Sequence, residues 1–278
     1  MASSADRMAA GAGFGALAKA DELKKRLWFT VGALIIYRLG TYLPLPGIDP
    51  GALADIFSQQ SSGILGMFDM FSGGALSRMT IFALNIMPYI TASIIMQLMT
   101  AIVPTLETLK KDGEAGRKTI NQYTRYLTVL LATVQGYGIA VGLESASGVV
   151  DDPGLFFRVT TVVTLVGGTL FLMWLGEQIT SRGVGNGISL IIFAGIVANL
   201  PTALAGTLEL GRTGALSSLL IVLLFVMAAA VIAFIVFIER SVRKILVQYP
   251  KRQHGNKVFG GDQSFLPLKI NVPGVIPP

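Results

Sequence analysis

Along the chain, apolar residues gather in long unbroken runs separated by short polar clusters. Six runs are long enough to cross roughly 30 Å of hydrocarbon as helices at about 1.5 Å per residue. They cover residues 27–43, 81–103, 126–142, 156–176, 188–204 and 216–238. Helices are expected because an open sheet edge has no hydrogen-bond partners in lipid. Two segments do not fit this plan. Residues 64–73 are apolar and helix-prone but too short to cross, and the pair Gly73-Gly74 breaks the helix at their end. They predict a short re-entrant helix that makes few strong polar bonds, with Asp69 its only charge. Residues 239–269 are basic, with KRQHGNK at their centre. They predict a protruding hairpin of two strands, VRKILVQY and KVFG, about a turn.

Composition sharpens the picture. Of 278 residues, 52% are hydrophobic and 14% charged, with mean hydropathy +0.65. A typical soluble domain carries about 25% charge, so a soluble enzyme, a coiled coil and a disordered chain are excluded. There is no cysteine, and His254 is the single histidine. Disulfides, thiolate metal sites and histidine metal sites are therefore excluded. Net charge is +6 and the pI about 9.6. In a chain of this kind the basic residues report topology rather than affinity for DNA.

Placing the N-terminus in the cytoplasm puts Arg7, Lys19, Lys24, Lys25 and Arg26 inside, with Lys110, Lys111, Arg117, Lys118 and Arg125. Arg182 and the seven Lys/Arg from Arg240 to Lys269 follow on the same side. Only Arg38, Arg78, Arg158 and Arg212 fall outside. The positive-inside rule then orients the chain, and Trp28, Tyr123, Tyr126 and Trp174 mark the cytoplasmic interface. No cleavable signal peptide is expected. A transit peptide competes for the Ala/Ser-rich start, but Asp6, Asp21 and Glu22 count against it.

No catalytic constellation is present. Gly183-Val184-Gly185-Asn186-Gly187 imitates a dinucleotide loop, yet no strand precedes it, and it reads as a tight turn between spans. Glu177 and Arg38 lie near span ends, where they snorkel or pair. On an ideal helix Ile86, Ile90, Ser93, Gln97 and Thr100 share an arc of about 80°. An inward apolar constriction below a polar, cytoplasm-facing funnel gives this order, and so does ordinary polar packing against neighbouring helices. Pro88 is expected to bend that helix.

Several strings carry a family resemblance. MFDMFSGGALSRMTIFALNIMPYITASIIMQL, PGIDP, KKDGEAGRKTINQYTRY, FLMWLGEQITSRGVGNGISLIIFAGIVANLP and LPLKINVPGVIPP occur in order over nearly the whole chain. Together they resemble the SecY family, the central subunit of the bacterial Sec protein translocase. The resemblance implies an all-α polytopic helical channel with six spans, a re-entrant plug and the start of a seventh span. It implies a cytosolic segment 1–22, a first half 23–204 with five spans, and the start of a second half at 205–278. The function implied is a passive protein-conducting channel, not an enzyme and without cofactor or metal, in the bacterial inner membrane. SecA or the ribosome would drive it, SecE and SecG would accompany it, and signal sequences and nascent polypeptides would pass through it or into the bilayer.

Residue roles are implied in the same way. Ile86, Ile90, Ile192 and Ile276 match the pore ring. Ile64, Leu65, Met67, Phe68, Met70, Phe71 and Gly73 match the plug. Met87, Ile94 and Gln97 match one wall of the lateral gate, and Arg243, Lys251, Arg252 and Lys257 match the loop that docks SecA or the ribosome. Asn85 stands where Gly is frequent, and Pro273 where Ala is frequent. Because the family has ten spans, the chain is expected to be part of a longer one. A secondary transporter with inverted repeats and a broken helix is the alternative.

Overall fold

The computed structural model describes residues 21–49, 51–53, 69–70, 72–146, 148–248, 252–254, 257–259 and 263–271. The chain divides into two compact units, Met1–Pro201 and Thr202–Pro278. The first contains α1 (Asp21–Gly40), α2 (Met87–Ile102), α3 (Pro104–Lys111), α4 (Glu114–Ser145), α5 (Leu155–Arg182) and α6 (Gly187–Ala198). After α7 (Leu200–Arg212), the second unit continues with α8 (Ser218–Arg240) and strands β1 (Val242–Gln248), β2 (Arg252–His254), β3 (Lys257–Phe259) and β4 (Gln263–Lys269).

Among the described residues four helical stretches are long and apolar enough to span a membrane: Glu114–Ser145, Leu155–Arg182, Gly187–Arg212 and Ser218–Arg240. A fifth arises if α2 and α3 count as one span broken by a 99° bend. The run at 27–43 is helical to Gly40 but is not among these stretches. Its helix α1 carries Lys24, Lys25 and Arg26 at one end and Arg38 at the other, and ends at Gly40.

The run at 81–103 also differs from its expected form. It is helical only from Met87, after a turn-rich stretch that includes left-handed Met79 (φ +42°) and Asn85 (φ +50°). Left-handed backbone ends any right-handed helix, so α2 cannot begin before Ile86. Pro88 falls in its first turn, where the missing N–H costs nothing and the fixed φ favours helix. Proline therefore starts α2 instead of bending it. The bend comes at Val103, which is extended, and Pro104 starts α3.

The α4–α5 pair forms the centre of the first unit. Thr124, Thr128, Ala132, Gly136 and Ala140 are buried at four-residue intervals along α4. Four residues span about 1.1 turns, so these small side chains make one stripe that lets α5 approach. One core gathers Ala132, Ala140, Val149, Phe157 and Leu165 with Leu45 and Met79. A second joins α1, α5 and α6 through Tyr37, Leu172, Ile179 and Ile191, with Phe82 and Ile86 inserted. Phe82 stacks on Tyr37 and Phe171 at 6.2 and 5.9 Å between ring centres. The tight turn expected at 183–187 is present. Asn186 Oδ1 caps α6 at the Ile188 N–H (3.1 Å), and Thr180 Oγ1 accepts from the Gly187 N–H (2.9 Å).

In the second unit the expected strand pairing is corrected. β1 pairs not with Lys257–Phe259 but with β4, antiparallel, with Ile245 opposite Leu266 and Leu246 opposite Phe265. Lys257–Phe259 pairs locally with β2, His254 opposite Lys257. The reason is cross-strand matching over length: the seven residues of β1, with their apolar centre, find a partner of equal length with Phe265 and Leu266 in β4, whereas β3 has three residues. A two-residue separation of His254 and Lys257 suits a local hairpin.

Candidate functional site

The segment before α2 is held by polar contacts. Asp69 Oδ1 accepts from the Ser77 N–H at 2.8 Å and from Ser72 Oγ at 3.3 Å. Arg38 and Arg78 both donate to the Gly73 carbonyl, at 2.9 and 3.1 Å. Both guanidinium groups also lie over the Tyr42 ring, at 5.2 and 4.3 Å, within cation–π range. Gly73 has φ +67°, and a Cβ there would stand 2.9 Å from the Gly195 carbonyl of α6. The expectation of few polar bonds in the predicted plug is therefore wrong at its C-terminal end. Met70 is exposed and Gly73 buried. Ile64, Leu65, Met67, Phe68 and Phe71 lie outside the described residues.

Of the four predicted ring residues, Ile86 is 1% exposed and belongs to the second core, against which Ile90 is partly buried. Ile191, not Ile192, faces that core; Ile192 is half-buried. Ile276 lies outside the described residues. On α2, Met87 and Ile94 are half-buried and Gln97 is exposed. Ser93, Gln97 and Thr100 line a crevice of about 180 Å³ with Lys110 of α3 and Asn121 and Thr124 of α4. The polar part of the predicted stripe thus turns toward α3 and α4, while its apolar start packs against α1, α5 and α6. Arg243 is exposed on β1, Arg252 lies on β2 and Lys257 on β3, and Lys251 is outside the described residues.

A second, larger cavity of about 530 Å³ was not foreseen. Its walls are Asn121 and Arg125 of α4, Glu177, Thr180 and Ser181 of α5, and Gly185, Asn186 and Ile188 of the α5–α6 link. Tyr89, in the first turn of α2 beside Ile90, completes it. Across it Arg125 binds Glu177 in fork geometry: Nε and Nη2 donate to Oε1 at 3.1 and 2.7 Å, and Nη2 donates to Oε2 at 2.7 Å. The sequence reading placed Arg125 in a loop and Glu177 at a span end. Because α4 already begins at Glu114, Arg125 sits on a rigid helix facing α5. The signal available was the unbroken helix-forming stretch from Glu114, which a hydropathy threshold cuts at Tyr126. Elsewhere Glu144 holds the other end of the α4–α5 pair, accepting from Arg158 at 2.6 Å and from the Gly154 N–H at 3.0 Å. Among the described residues no three His, Cys, Asp or Glu side chains gather where a metal could sit.

Comparison with known proteins bears on this arrangement. A family model described as SecY matches residues 80–278. The protein translocase subunit SecY of Rickettsia bellii (strain RML369-C) is 57% identical over 262 residues, 93% of this chain and 60% of that one. The chain therefore spans about 60% of that curated relative's length. A solved structure described as a protein conducting channel superimposes with a TM-score of 0.61 and 19% identity, covering 89% of this chain and 53% of that one. Sec61 in the canine ribosome-channel complex from the endoplasmic reticulum superimposes with a TM-score of 0.57 and 18% identity, covering 80% and 49%. These two likenesses are of fold.

Proposed function

The chain belongs to the SecY family, and we propose that it forms part of the wall of a protein-conducting channel in the bacterial plasma membrane, with its N-terminus in the cytoplasm. The observation that carries this reading is the open cavity between Asn186 and Tyr89, into which Asn121, Arg125, Glu177, Thr180 and Ser181 bring polar groups. It ends one residue from Ile90 and three from Ile86, the apolar positions at the head of α2. A water-filled approach leading to bulky apolar side chains suits a conduit that admits an extended chain and resists ions at rest.

In this reading Ile86, Ile90, Ile192 and Ile276 contribute to the constriction, and the segment from Ile64 to Gly73 closes it from outside. Met87, Ile94 and Gln97 belong to the wall that opens toward lipid. Arg243, Lys251, Arg252 and Lys257 offer positive charge to SecA or to the ribosome. The fold likeness to the channel of a ribosome complex supports the latter partner. SecE and SecG complete the assembly. The wall performs no covalent chemistry; it lowers the barrier by replacing lipid with water and polar side chains. The relative is a translocase subunit, so a secondary transporter is not favoured.

The test uses the complete subunit in proteoliposomes with a photo-crosslinking side chain at Tyr89, Asn121 or Leu130. A stalled nascent polypeptide should label the first two and spare Leu130, which is exposed on α4 and does not line this cavity. Equal labelling at all three, or labelling at Leu130 alone, overturns the reading.

A further inference from the structure

Among the described residues, Arg125 and Glu177 are the only formally charged ones lining the 530 Å³ cavity. Every other polar group there is neutral: Tyr89, Asn121, Thr180, Ser181 and Asn186. The pair is not sealed in packing, since its side chains are 49% and 36% exposed. Its partners are 52 residues apart on two helices that already touch through a stripe of small residues. The α4–α5 contact also has its own ion pair at the other end, Arg158 with Glu144. A half-exposed pair contributes little as a brace, because water competes for both ends. The same exposure makes its charges available to a third group entering the cavity.

We infer that Arg125 and Glu177 form an exchangeable charge pair that determines how the channel handles charged stretches of its polypeptide substrate. The inference rests on the channel reading above. A carboxylate of the passing chain takes the fork of Arg125, and an ammonium or guanidinium group takes Glu177. When either leaves, the resident partners rebind each other. The wall thus presents both signs on demand and no net charge at rest. A conduit for chains of any composition needs this, because an unpaired wall charge would repel one sign and hold the other. Arg suits the role: its planar fork matches a carboxylate in two bonds and it stays charged at every working pH.

The experiment measures translocation rates through the complete channel for three reporter polypeptides. These differ only in one central stretch, which is neutral, lysine-rich or glutamate-rich. Glu177→Gln leaves Arg125 uncompensated and should slow the lysine-rich reporter by roughly two- to fivefold, the range a half-exposed pair supports. Arg125→Gln should slow the glutamate-rich reporter by a similar factor. The double variant and the swapped pair Arg125→Glu with Glu177→Arg should both bring the two charged reporters back to equal rates. Raising salt should shrink the difference in the single variants. If the pair is only a brace, both single variants slow all three reporters in the same proportion, and the double variant is as slow as either. That result overturns the inference. Failure of the unaltered channel to pass even the neutral reporter would instead reject the channel reading itself.

Discussion

Gly167 and Gly168 are neighbours on α5, and replacing each with alanine should move stability in opposite directions. At Gly168 an added Cβ would overlap the Ile81 carbonyl oxygen, stand 3.0 Å from its carbon, and stand 3.2 Å from Cδ1 of Phe82. A carbon normally keeps about 3.3–3.6 Å from a carbonyl oxygen, and both sides here are backbone or a wedged ring. Relief requires α5 to retreat from residues 81 and 82. That loosens Phe82 between Tyr37 and Phe171, contacts worth about 0.5–1.5 kcal/mol each beyond their burial. Overpacking of this kind costs about 1–3 kcal/mol, and the backbone location points to its upper end. Alanine returns roughly 1 kcal/mol of helix propensity, leaving a net loss near 2 kcal/mol by that overpacking scale.

At Gly167 nothing lies within 4 Å of the added carbon, so only the gain of about 0.5–1 kcal/mol remains. With about 2–4 °C per kcal/mol for a protein of this size, Gly168→Ala should lower the melting midpoint by roughly 4–8 °C. Gly167→Ala should raise it by roughly 1–4 °C on the same scale. Thermal unfolding of the complete protein in lipid discs reads both. Equal shifts, or a Gly168→Ala midpoint within 1 °C of the parent, would show that α5 does not rest on the irregular segment before α2; the 1 °C limit is about a quarter of the smallest drop expected.

Two further substitutions probe the turns. Asn85 is left-handed, buried and close to Tyr37; Asn85→Val should cost at least about 1–2 kcal/mol from backbone strain alone, while Asn85→Gly should keep the turn and lose only the side-chain contacts. The comparison of their unfolding midpoints checks this, and a valine variant as stable as the glycine variant refutes it. Gly116→Ala should force α3 off α4, because its Cβ would overlap the Leu109 carbonyl oxygen; faster trypsin cleavage at Lys110 and Lys111 is the expected outcome, and an unchanged rate counts against the close corner.

The long apolar runs were legible because lipid imposes them, but lipid also explains what they hide. α8 and α5 both read as apolar helices, yet α5 has ten buried residues and α8 none. Hydropathy does not separate the two cases, since a protein interior is as apolar as a lipid tail. Contact in such a chain is reported by size, and the regular Thr124, Thr128, Ala132, Gly136 and Ala140 stripe was that signal. The polar positions Ser93, Gln97 and Thr100 line one crevice, but a stripe in the sequence could not say whether it met a cavity or a neighbour, and residues of α3 and α4 line that crevice with it. The left-handed turn at Asn85 had a trace in the sequence, since asparagine is one of the few residues besides glycine that tolerate positive φ. The helix that carries Arg125 was legible in the stretch from Glu114, but its pairing with Glu177 was not, since nothing in one helix announces a partner 52 residues away. Their pairing depends on α4 extending below the apolar run, so the charge that topology arguments count as a loop marker is carried by the helix into the cavity wall. Lys/Arg counts fix which side of the membrane a residue faces, whereas the helix that bears it fixes what it touches.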